Sequence, residues 1–128
     1  ILAIGPVVYG ALAAADKLAE EGIDCAVANV RFGKPLDASL IEDLAVETRR
    51  LLTVEENALA GGFGSAVLEL VHNAKLPAVS VERLGLPDRF IEQGTQELLL
   101  ATFDLDVKGI VRRARETFSG LTAQPSTK

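Results

Sequence analysis

The stretch Leu51-Leu52-Thr53-Val54-Glu55-Glu56-Asn57-Ala58-Leu59-Ala60-Gly61-Gly62-Phe63-Gly64-Ser65 decides the fold class. Its first four residues are apolar or β-branched and too few for a helix, so they read as a buried strand over 51–54. A polar break and a glycine cluster follow. The run that then reaches Asn73 carries apolar residues at helical spacing, which predicts a helix over 62–73. A strand feeding a helix through a glycine turn is half of a βαβ unit.

The same half-unit recurs on either side. Residues 1–4 (ILAI) read as a strand closed by Gly5-Pro6, and residues 7–20 as a helix with Leu12, Ala15, Leu18 and Ala19 at helical spacing. Gly22 fits the end of that helix, and the β-branched run 23–30 reads as a second strand, with Cys25 a small buried residue in its middle. Asp37 is placed to cap a helix over 38–49 with Leu40, Ile41 and Leu44 on one face. Downstream, Pro77 breaks the chain, 78–81 forms a fourth strand and 83–94 is irregular. Short helices follow over 95–101 and 107–118. This order predicts an α/β domain over 1–118, a mostly parallel open sheet with helices on both faces. Residues 119–128 read as a frayed, flexible tail.

Composition narrows the function. Thirteen bases against eighteen acids give a net charge of −5, whereas a nucleic-acid binder needs a basic face. No apolar run approaches the roughly 20 residues that span a bilayer. One Cys and one His exclude an internal disulfide and a Cys/His zinc set. The expected setting is cytoplasmic. A chain that opens inside a strand reads as a fragment of a longer protein.

In a parallel sheet, ligands and partners gather at the carboxyl ends of the strands. Three polar or glycine-rich segments are expected there, and they hold the candidate docking residues. The first carries Arg31, Lys34 and Asp37; the second Glu55, Glu56, Asn57, Gly62, Gly64 and Ser65; the third Asp88 and Arg89. Arg31 and Lys34 suit a substrate anion and a neighbouring carboxylate equally. The Gly62 to Ser65 helix start could favour an anion, but Gly62-x-Gly64 lacks a third glycine where Val67 stands, and no Gly-Lys-Ser/Thr follows. The anion could instead be internal, Glu55 or Glu56 folded back onto the helix. Adjacent strand residues point to opposite sides, so one of the pair faces the turn and the other a partner or solvent. Ser65 is expected to serve the first turn of its own helix, and His72 to lie on the surface at the helix end. No nucleophile elbow, triad or metal cluster is present, so catalytic, cofactor and metal residues are expected to be absent from this chain.

Three segments together resemble a known family: Val30-Arg31-Phe32-Gly33-Lys34-Pro35-Leu36-Asp37, Thr53-Val54-Glu55-Glu56-Asn57 with Gly61-Gly62-Phe63-Gly64-Ser65, and the run from Gly85 to Glu97 (GLPDRFIEQGTQE). They look like the C-terminal domain of the 1-deoxy-D-xylulose 5-phosphate synthases, in the transketolase superfamily, over residues 1–118. Gly33 departs from the family pattern, which has a larger residue there. The resemblance implies a parent transferase that condenses pyruvate with glyceraldehyde 3-phosphate and releases carbon dioxide. Its product feeds non-mevalonate isoprenoid, thiamine and pyridoxal biosynthesis. It implies thiamine diphosphate and Mg2+ held by N-terminal and middle domains absent here, and a homodimer. This domain would be an inactive structural and dimer-interface element, with those domains and the second subunit as partners. The alternative is a stand-alone anion-binding or partner-docking module.

Overall fold

The computed structural model describes residues 1–30, 36–87 and 95–118. The elements are β1 (Leu2–Ala3), α1 (Val7–Glu20), β2 (Ala28–Asn29), α2 (Ala38–Thr48), β3 (Arg50–Ala58), α3 (Phe63–Asn73), β4 (Ser80–Leu86), α4 (Gln96–Thr102) and α5 (Val107–Thr117). The four strands form one sheet in the order β2-β1-β3-β4, and every pairing is parallel. The expected architecture is therefore present.

Alternation along β3 sorts the core into two layers. Leu52 and Val54 face the layer built by Val7, Ala11, Ala14 and Leu18 of α1 with Ile110, Val111 and Ala114 of α5. Leu51 faces the opposite layer, with Ile41 and Ala45 of α2 and Phe63, Val67 and Val71 of α3. Small residues let α1 and α5 approach closely, so that a side chain at Gly10 would rest 3.5 Å from Ile110 Cδ1. Beyond that seam, Arg115 clasps Glu21 with two hydrogen bonds of 2.9 and 2.8 Å.

Helix ends follow the sequence closely. Asp37 accepts from the Leu40 N–H at 3.2 Å, Thr95 from Leu98 at 3.1 Å and Asp106 from Gly109 at 2.9 Å. Gly22 adopts φ +85° just past the end of α1, a backbone setting in which glycine carries no Cβ penalty.

The strands differ from expectation. β2 is two residues instead of 23–30, with Ala28 opposite Leu2 and Asn29 opposite Ala3. Cys25 consequently lies outside any strand and is half-buried, and burial raises its thiol pKa above the usual value. β3 and β4 extend further than their apolar runs, with Thr53 opposite Arg83 and Val54 opposite Leu84. Arg83 to Leu86 are therefore strand, not irregular chain. The candidate residues Arg31, Lys34, Asp88 and Arg89, the anomalous Gly33 and the tail lie outside the described residues.

Candidate functional site: the carboxyl end of β3 and the start of α3

The ladder between β3 and β4 loses register between Val54 and Ala58, and Ala58 resumes opposite Leu86. Such irregularities re-aim side chains at the end of a strand. Here the residues in question are Glu55, Glu56 and Asn57. Glu55 is fully buried, Glu56 is half-buried and Asn57 is exposed.

Glu55 lies on the same side of β3 as Leu51 and Thr53, beneath α3. Its Oε1 accepts the Phe63 N–H at 2.9 Å and its Oε2 accepts the Gly64 N–H at 2.6 Å. These are two of the N–H groups that the first turn of a helix leaves without a backbone acceptor. The helix macrodipole adds a favourable positive end. Among the described residues no ion pair reaches Glu55, so the start of α3 is the positive charge it meets. Of the two internal anions considered from the sequence, Glu55 is the one that folds back.

Glycine is demanded here by space. A side chain at Gly62 would run into Glu55 Oε1 and the Ala58 carbonyl, and one at Gly64 would come within 2.6 Å of Thr53 Oγ1. At Gly85 it would stand 2.9 Å from Leu59 Cδ2 and 3.0 Å from the Asn57 carbonyl. The close packing that the glycine cluster suggested is thus present, and the carboxylate is part of it.

Ser65 does a different job from the one expected. Its hydroxyl donates to the Leu59 carbonyl at 2.8 Å and accepts from Arg83 at 3.0 Å, while Arg83 also donates to Leu59 at 3.1 Å. The Leu59 carbonyl is thus held from two sides, by Ser65 in the first turn of α3 and by Arg83 of β4, and the hydroxyl does not cap its own helix. Arg83 and Gly85 were missed from sequence because they sit past the apolar run of their strand. Thr53 was missed as well. Its Oγ1 is buried with no hydrogen-bond partner among the described residues.

Glu56 points the other way and accepts from Gln96 Nε2 at 2.7 Å. Asp37 caps its own helix and stands apart from this cluster. His72 is exposed in the last turn of α3. Among the described residues, no three His, Cys, Asp or Glu side chains converge as a metal ion would require. No helix among them is long and apolar enough to cross a membrane.

A carboxylate that supplies both oxygens to backbone N–H groups is an anchor. A family model for the transketolase C-terminal domain matches residues 1–110. The chain belongs to the transketolase C-terminal domain family. Several curated relatives of this transketolase-type domain are 1-deoxy-D-xylulose-5-phosphate synthases. The 1-deoxy-D-xylulose-5-phosphate synthase 1 of Geobacter metallireducens is 54% identical over 120 residues, 94% of this chain and 19% of that protein. The synthase of Aquifex aeolicus is 45% identical over the same share of each. The chain spans about a fifth of the length of the curated relatives it matches. Among solved structures, a split-gene transketolase, an inactive beta4 tetramer, superposes with a TM-score of 0.83 at 30% identity over 92% of this chain and 38% of that one.

Proposed function

We propose that this chain is the C-terminal domain of a 1-deoxy-D-xylulose 5-phosphate synthase and serves it as a structural and dimer-interface element. The parent enzyme joins pyruvate to glyceraldehyde 3-phosphate with loss of carbon dioxide, using thiamine diphosphate and Mg2+ in the cytoplasm. The names of the relatives support the reaction. The role of the domain is supported by one observation above all: the acid best placed for chemistry, Glu55, is buried and committed to the start of α3.

The same observation bears on the cofactor. The first free N–H groups of α3 are where a diphosphate would be held, and Glu55 takes them. The start of α3 therefore does not fit a diphosphate, which supports a cofactor held by other parts of the parent. It also counts against a stand-alone anion-binding module. What remains at the carboxyl edge among the described residues is Glu56, half-buried, and Asn57, exposed. They form a polar docking edge for the neighbouring domains and the second subunit.

The test is made in the full-length enzyme. Asn57→Arg should weaken the dimer, seen as a rise in its dissociation constant by sedimentation, while kcat at saturating pyruvate stays within about twofold in whatever dimer remains. Collapse of kcat with assembly intact would overturn the docking role. Carbon dioxide release by the 128-residue chain alone, given both substrates, thiamine diphosphate and Mg2+, would overturn the structural reading altogether.

A further inference from the structure

β3 is laddered with β4 from Arg50 to Val54, but toward β1 its ladder partners stand only at Thr53 and Val54. Ile4 donates to the Val54 carbonyl at 3.2 Å, so the even-numbered residues of β3 turn their backbone groups toward β1. The Leu52 N–H and the Arg50 carbonyl therefore face that side too. Among the described residues the Arg50 carbonyl receives only the Thr48 hydroxyl, at 3.0 Å.

A second wall faces them. Ala28 donates to the Ile1 carbonyl at 2.9 Å, and the Ala26 carbonyl accepts from the Ile1 nitrogen at 2.8 Å. The same alternation turns the Ala26 N–H and the Asp24 carbonyl inward, and among the described residues no hydrogen bond takes either. Between the walls lies a cavity of about 260 Å³, whose lining includes Cys25, Ala26, Arg50 and Leu51. Leu44, from the α2–α3 layer, closes one face, and Phe118, from the α1–α5 layer, closes the other. Polar backbone on both sides with apolar cover above and below is the environment of a strand inside a parallel sheet.

We propose that this slot is a strand acceptor, filled in extended form by the two residues of the parent that are joined to Ile1. Register fixes how they sit. Leu2 stands between Ala28 and Thr53, so the first residue before Ile1 falls between Ala26 and Leu51, and the second between Cys25 and Arg50. The first accepts from the Leu52 N–H and donates to the Arg50 carbonyl. The second accepts from Ala26 and donates to Asp24. Alternation aims the first side chain at Leu44 and the second at Phe118, so both are apolar. The identity of the occupant rests on the function proposed above, in which the bulk of the parent precedes a C-terminal domain; the open slot does not depend on it. The parent then grips this domain from inside its sheet, at the end opposite the docking edge.

Nuclear magnetic resonance on the 128-residue chain, and on the same chain lengthened ahead of Ile1 by Lys-Val-Val, tests the slot without reference to turnover. In the lengthened chain the Ala26 and Leu52 amides should exchange with deuterium roughly tenfold more slowly, and the urea midpoint should rise by about 0.5 to 1 M. Lys-Pro-Pro in the same place offers no N–H to Arg50 or Asp24 and should do neither. Where the unlengthened chain does not fold, Lys-Val-Val should restore the fold and Lys-Pro-Pro should not. Equal exchange and equal midpoints for the two extensions would overturn the slot. Protection of these amides in the unlengthened chain that grows with protein concentration would make a second copy the occupant and overturn the parent segment. The dimer and turnover tests of the full-length enzyme are read on other residues, so either proposal can fail while the other stands.

Discussion

Glu55 Oε2 stands 2.6 Å from the backbone nitrogen of Gly64, with no side chain between strand and helix. The contact works only because position 64 has no Cβ and position 55 has a carboxylate of that length. Two elements far apart in character, a buried strand and an amphipathic helix, are joined by one charge.

Replacing Glu55 should therefore be costly. Glu55→Ala leaves two buried N–H groups without an acceptor and removes the charge at the positive end of α3, an effect of about 3 to 5 kcal/mol. Glu55→Gln keeps the shape and one acceptor oxygen, so it should lose about half as much. Urea denaturation of both variants checks this. Loss of less than about 1 kcal/mol in Glu55→Ala would show that the anchor is not energetically important.

The glycines should behave as spacers. Gly62→Ala and Gly64→Ala each force a methyl group into Glu55 or Thr53, and each should destabilise by about 1 to 3 kcal/mol through overpacking. Gly10→Ala, where the nearest atom is 3.5 Å away, should be tolerated and gain helix propensity. Thermal melts of the three variants should separate along that line.

Thr53 offers a stabilising change. Its hydroxyl is fully buried and unpaired among the described residues, so Thr53→Val removes a desolvated polar atom at nearly constant volume. The expected gain is about 0.5 to 1.5 kcal/mol, measured as a higher urea midpoint with an unchanged slope. A lower midpoint would mean that the hydroxyl has a partner in solution.

The Glu21–Arg115 clasp predicts an acid limb. Hydrogen bonding to Arg115 holds the Glu21 carboxyl below the usual carboxylate range. A carboxyl depressed in the folded state contributes stability above its unfolded pKa of about 4.3, and the contribution disappears as the pH falls through the folded value. Glu21→Gln should thus be less stable than the parent chain at pH 7, with the difference closing below about pH 4 and shrinking in high salt. A difference that persists at pH 3 would assign the loss to packing.

Much of this was legible in the residues, and the exceptions share a cause. The alternation of strands and helices predicted the parallel sheet, because crossover helices leave successive strands parallel, and an acid folded onto α3 was within reach because Glu55 and the helix start are neighbours in sequence. Arg83 was not legible. Its role comes from standing opposite Thr53 across two parallel strands, a register that only tertiary pairing establishes. Ser65 was misread for the same reason, since its partners belong to the preceding loop and to β4. The second strand was read over 23–30 on its β-branched and small residues, but only Ala28 and Asn29 take up ladder positions beside β1.

The place of β1 inside the sheet also shapes how the chain folds in time. Leu2 is opposite Ala28 on one flank and Thr53 on the other, and neither can arrive until the chain has looped through at least one helix. Pairings of this non-local kind slow the search for the native state. Leu2, Leu51 and Leu52 are each at most 2% exposed in the fold, so a chain in which β3 has not yet docked offers apolar surface through which molecules can stick to one another.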